Sequence, residues 1–125
     1  MNRLKVLLID DEEELVTTLV ERLGYRDVDA DYALDGYSAL LKMRENRYDV
    51  VLLDLKLPGI GGREVLKRLH KDYPEVPVLL ITGHGMMDQV DQNLEGAYDY
   101  LVKPAQVDDL VAKMREAVER DDRGR

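Results

Sequence analysis

Residues 50–62 read Val50-Val51-Leu52-Leu53-Asp54-Leu55-Lys56-Leu57-Pro58-Gly59-Ile60-Gly61-Gly62. The first four are consecutive and apolar, the pattern of a strand buried on both faces, and an acid closes the run. The stretch from Leu57 to Gly62 holds three glycines and a proline, which predicts irregular backbone there. Working outward, the same unit recurs. Val6-Leu7-Leu8-Ile9 runs into Asp10-Asp11, Val78-Leu79-Leu80-Ile81 into Thr82, and Tyr98 to Val102 into Lys103-Pro104. A weaker strand is expected from Asp27 to Ala33, where Val28, Ala30 and Tyr32 alternate with acids.

Helical spacing fills the gaps between these strands. Leu15, Leu19 and Leu23, with Val16 and Val20, recur until Gly24, a residue that commonly ends helices. Ala39, Leu40 and Met43 mark a second helix, and Val65, Leu66 and Leu69 a third that ends near Pro74. A short one is expected from about Met86 to Glu95, and Leu110, Met114 and Val118 mark the last. Five strand–helix units predict an α/β fold, with a parallel sheet covered by helices on both faces. With 125 residues there is room for one domain. It is expected over residues 1–120, with 121–125 as a polar tail or the start of a linker.

Composition removes several classes of function. The net charge of -8 disfavours direct binding of nucleic acid or anionic membranes. No apolar run approaches the roughly 18 residues of a membrane span. The first apolar stretch ends at once in acids, which predicts no signal peptide. The chain has no cysteine, so thiolate catalysis and disulfides are excluded, which fits the cytoplasm.

The polar residues fall at the strand ends. In an open parallel sheet those ends share one edge, where ligands bind near the point at which strand order reverses. Asp10, Asp11 and Asp54 are therefore brought together from distant parts of the chain. Two carboxylates about 4 Å apart repel by roughly 4 kcal/mol at an effective dielectric near 20, so the cluster calls for a proton or a cation. Oxygen donors suit a hard ion such as Mg²⁺. Thr82 and Lys103 add a hydroxyl and a cation, the parts needed to hold a phosphoryl group. Asp54 itself is a candidate nucleophile that would form an acyl phosphate.

With these residues in order, the chain resembles the receiver domains of bacterial two-component response regulators from about Leu4 to Glu119. The resemblance rests on Asp10-Asp11, Asp54, the Leu57-Pro58-Gly59 turn, Gly61-Gly62 and Thr82. It continues through Gly96-Ala97-Tyr98-Asp99-Tyr100-Leu101 and Lys103-Pro104. It implies a doubly wound, flavodoxin-like sheet of order 2-1-3-4-5 with five helices. It also implies that Asp54 accepts a phosphoryl group from a sensor histidine kinase or phosphotransfer protein. Asp11, Asp54 and the backbone carbonyl of Lys56 would be Mg²⁺ ligands, with Asp10 acting mostly through metal-bound water. Thr82 and Tyr100 would be switch residues, Lys103 would pair with the acceptor and then its phosphate, and the Lys103-Pro104 bond would be cis. The face made by the fourth helix, fifth strand and last helix would then change and act on an output domain or effector, or on a second copy in a phosphorylation-dependent homodimer.

Other readings are weaker. Glu12, Glu13 and Glu14 are expected as ordinary first-turn helix acids, and Tyr100 is also explained by packing alone. Gly83, where the family commonly has alanine, leaves one side of the site open, and His84 could sit over its mouth. His70 is expected on the surface. The glycines at 59–62 lack the lysine and hydroxyl residue of a P-loop. A phosphohydrolase with an aspartyl nucleophile would need a second acid two residues on, where this chain has Lys56.

Overall fold

A computed structural model describes residues 3–83 and 95–123, the last three as backbone only. Five strands form one parallel sheet: β1 (Leu4–Ile9), β2 (Val28–Ala33), β3 (Val50–Asp54), β4 (Val78–Thr82) and β5 (Asp99–Val102). Their order is β2-β1-β3-β4-β5, as the resemblance implies. Four helices lie among the described residues: α1 (Glu13–Gly24), α2 (Gly36–Glu45), α3 (Gly61–Asp72) and α4 (Val107–Arg123). The short helix expected from about Met86 to Glu95 falls almost wholly outside the described residues, as does His84. Helix α4 runs through Arg123, so the stretch expected as a polar tail is helical over its first three residues.

The uninterrupted apolar strands are explained by two separate cores. Leu7, Ile9, Val51, Leu53, Val78 and Leu80 face one way, onto Ala39, Met43, Val65, Leu66 and Leu69. Val6, Leu8, Val50, Leu52, Leu79 and Ile81 face the other, onto Val16, Leu23, Leu110 and Met114. Helices α2 and α3 therefore cover one side, and α1 and α4 the other. Strand β2 begins one residue later than expected, after Asp27, whose φ of 61 takes it out of extended backbone. It forms a sheet edge, and its Asp31 accepts hydrogen bonds from Lys42 Nζ (2.7 Å) and the Tyr48 hydroxyl (2.9 Å).

The boundary of α3 also departs from the sequence reading. Helix α3 starts at Gly61, inside the stretch expected to be irregular. The reason is a close approach: a Cβ on Gly62 would lie 2.4 Å from the carbonyl oxygen of Leu55. The helix packs directly on the backbone that follows Asp54, and a residue with a poor helix propensity is required there by space. Strand β5 begins at Asp99, so Tyr98 precedes it. Helix α2 is opened by Asp35, whose carboxylate accepts the Ser38 N–H at 2.8 Å, the usual solution for an orphan helix donor.

Candidate functional site

Strand order reverses between β1 and β3, and their carboxyl ends define the crevice. Asp10 follows β1 directly. Its N–H donates to the Ala33 carbonyl (3.1 Å), which holds it beside β2, and it is 7% exposed. Asp54 ends β3 and is 4% exposed. Lys103 follows β5, and its N–H donates to the Thr82 carbonyl at 2.8 Å. The last two strands are thereby closed at their ends, and the Lys103–Pro104 bond is cis.

The ammonium of Lys103 lies among three carboxylates. Nζ donates to Asp10 Oδ2, Glu12 Oε1 and Asp54 Oδ2, each at 3.0 Å. These contacts span 93, 91 and 49 positions of sequence. The other Asp10 oxygen accepts the Glu12 N–H (2.9 Å), and the other Asp54 oxygen accepts the Lys56 N–H (3.0 Å). Burial works against the charge on Lys103, yet the bonds to Glu12, Asp10 and Asp54 outweigh it and raise the ammonium above its usual range. Burial pushes the carboxyl of Asp10 up, against the pull of the Glu12 N–H and of Lys103. These directions differ across one contact. The 3.0 Å geometry to a fully held ammonium favours the ionised pair, with Asp10 keeping its charge at the expense of desolvation.

Asp10, Glu12 and Asp54 each offer a carboxylate oxygen, all within 4.8 Å of one another, a group able to hold a metal ion. The donors are hard oxygens, and a carboxylate has roughly four lone-pair sites, so the Lys103 contacts leave acceptor capacity. The set fits a hard dication. Glu12 belongs to this group and was read from the sequence as a plain helix acid. Asp11 is exposed and stands outside the converging oxygens.

The remaining expected residues surround this centre. Thr82 is fully buried at the end of β4, and its hydroxyl donates to the Gly83 carbonyl (3.2 Å). Among the described residues other than its chain neighbours, no heavy atom lies within 4 Å of where a Gly83 Cβ would stand. Tyr100 pairs in register with Leu80 and is 38% exposed. His70 is exposed, and its ring carbon lies 2.8 Å from the Cβ position of Gly96. Between α1 and α4 an apolar cavity of about 360 Å³ is lined by Leu8, Leu15, Val16, Leu19, Leu52 and Leu110, with Asp10, Glu12 and Lys103 at its rim. Its walls are hydrocarbon, so polar chemistry is confined to the rim. Among the described residues no helix is long and apolar enough to cross a membrane.

Comparison with known proteins agrees with this geometry. The family described as the response regulator receiver domain matches residues 6–115. The transcriptional regulatory protein YkoG of Bacillus subtilis is 34% identical over 119 residues, 94% of this chain and 52% of its own length. The response regulator ArlR of Staphylococcus saprophyticus is 34% identical over 117 residues, 93% of this chain and 53% of its own length. The chain thus spans about half the length of these curated relatives. A response regulator receiver domain protein from Clostridium thermocellum superposes with a TM-score of 0.88 at 31% identity, over 95% of this chain and 97% of that one.

Proposed function

Because this chain belongs to the response regulator receiver domain family, a family of signalling switches, we propose that Asp54 is its phospho-acceptor and that a phosphohistidine on a sensor histidine kinase or phosphotransfer protein is the donor. An oxygen lone pair of Asp54 forms the bond to phosphorus as the P–N bond of the donor breaks. The released electron pair returns to the imidazole, which takes a proton from water. The observation that carries this reading is the Lys103 ammonium shared at 3.0 Å by Asp10 and Asp54 at the crevice where strand order reverses.

Each residue has a part in that transfer. Asp54 is held by the Lys56 N–H, which leaves lone pairs free for attack. Lys103 follows the charge from the carboxylate to the incoming phosphoryl oxygens, a short move for a side chain already in contact. Thr82 turns its hydroxyl from the Gly83 carbonyl to a phosphoryl oxygen, and Tyr100 moves inward from its exposed position. Asp10, Asp54 and the Lys56 carbonyl are residues we assign to Mg²⁺, together with Asp11, whose exposed side chain would have to turn in to join them. When bound, that ion screens the carboxylates against the incoming anion. The chain promotes only its own phosphotransfer and dephosphorylation, and it is a switch rather than a metabolic enzyme.

The output reading follows from the same family. We assign residues 1–120 to the receiver and the residues after them to the start of a linker. The face around β5 and α4 is where an output domain, effector or second copy would bind, in the cytoplasm. There Tyr98 donates to Glu116 (2.8 Å) and Lys113 bonds Asp99, which couples the strand to the helix.

The test is intact mass after incubation with acetyl phosphate, with and without Mg²⁺, for wild type and Asp54→Asn. One added phosphoryl group that needs Mg²⁺ and is lost in the variant supports the reading. No gain under any condition overturns it.

A further inference from the structure

Glu12 occupies the position that opens α1, yet it does not cap that helix. The N-cap residue usually supplies a side-chain oxygen to a free N–H of the first turn, and serine, threonine, aspartate and asparagine do so best. Glu12 makes no such bond. Its carboxylate goes to Lys103 Nζ at 3.0 Å instead, across 91 residues of sequence. Its own N–H meanwhile fixes Asp10 through Oδ1 at 2.9 Å. One residue therefore orients two members of the cluster, Asp10 by its backbone and Lys103 by its side chain.

The geometry points to Glu12 as a positioning residue for Lys103, which holds the ammonium on the site while its third bond passes from Asp54 to the phosphoryl group. An ammonium has three protons, and here Asp10, Glu12 and Asp54 take one each. Phosphorylation turns the Asp54 carboxylate into an acyl phosphate, a mixed anhydride, and removes the carboxylate charge that held that bond. Two anchors then remain, the buried Asp10 and the exposed Glu12. The side-chain exposures of 9% for Asp10 and 59% for Glu12 make one anchor buried and the other accessible to solvent. With Asp10 alone, the ammonium pivots on one bond and spends less of its time where the phosphoryl oxygens arrive. The inference rests on Asp54 being the acceptor.

Two variants separate it from a structural role. Glu12→Ser removes the reach to Lys103 and supplies a better helix cap, so its melting temperature should equal or exceed that of wild type. Glu12→Gln keeps the reach and an acceptor oxygen. The readouts are the rate of phosphorylation by acetyl phosphate and the side-chain order parameter at Lys103 Cε. For Glu12→Ser we expect a rate about fivefold lower, the factor carried by one screened charge-assisted contact, and a lower order parameter. Glu12→Gln should recover part of both. An unchanged order parameter in Glu12→Ser overturns the inference, and so does a rate that stays equal or rises. If wild type itself takes no phosphoryl group, the acceptor assignment fails first, while the order parameter still reports on Glu12 and Lys103.

Discussion

Replacing Gly62 with alanine tests how α3 is joined to the site. The added Cβ would stand 2.4 Å from the carbonyl oxygen of Leu55, 2.5 Å from its Cα and 2.7 Å from its carbonyl carbon. All three are backbone atoms and cannot rotate away. Leu55 is 4% exposed, and its carbonyl accepts the Leu57 N–H at 3.2 Å, so the segment is held from both sides. Relief requires the start of α3 to move by most of an ångström, and Val65, Leu66 and Leu69 would leave their packed positions. Overpacking of this kind costs roughly 3 kcal/mol. For a domain of 125 residues each kcal/mol is worth about 4 °C, so the melting temperature should fall by about 12 °C by circular dichroism. Gly24→Ala is the control. Nothing lies within 4 Å of its Cβ position, and alanine there should leave stability unchanged or raise it by up to about 1 kcal/mol. A Gly62→Ala protein melting within about 2 °C of wild type would refute the argument that space selects glycine there.

Two further outcomes are expected. Burial opposes the charge on Asp31, but the bonds from Lys42, the Tyr32 N–H and Tyr48 prevail and lower its carboxyl below the usual value. Its contribution is therefore fully present above the unfolded value near 3.9 and is lost as pH falls through the lower folded value. The side chain is 43% exposed, so screening limits the effect to about 0.5–1 kcal/mol. Urea denaturation of wild type and Asp31→Asn should differ by that amount at pH 7 and converge in strong acid; a constant gap across pH counts against it. Magnesium should stabilise the fold by about 2.7 kcal/mol at a hundred times its dissociation constant, and the melting temperature should keep rising with the logarithm of its concentration. The rise should be much smaller in Asp54→Asn, and an equal rise with sodium chloride at matched ionic strength would reduce the effect to screening.

What was legible in the sequence follows from how each element is buried. Strands β1, β3 and β4 stand out because both their faces are covered, so their residues carry no polar alternation to confuse with a helix. The convergence of Asp10, Asp54 and Lys103 follows from topology alone, since parallel strands bring their ends to one edge. The start of α3 was hidden, because Gly61 and Gly62 carry the local marks of a loop and the contact with Leu55 is tertiary. Glu12 was hidden for a related reason. An acid in the first helical turn has a sufficient local explanation, and nothing nearby in sequence announces a lysine 91 residues away. The unused cap was the available signal, since glutamate is an unusual choice at that position.

The acidic character of β2 limits how this sheet can grow. An edge strand presents unpaired backbone groups to any passing chain. Asp29 and Asp31 lie two apart in β2 and so project from the same face. If two copies paired in parallel register along this edge, equivalent carboxylates would face one another at about the 4.8 Å strand spacing, and Lys42 is already engaged by Asp31. Like charges directly opposite destabilise such pairing. Polymerisation through β2 is thereby opposed by electrostatics, and the edge stays unpaired although its backbone groups are open.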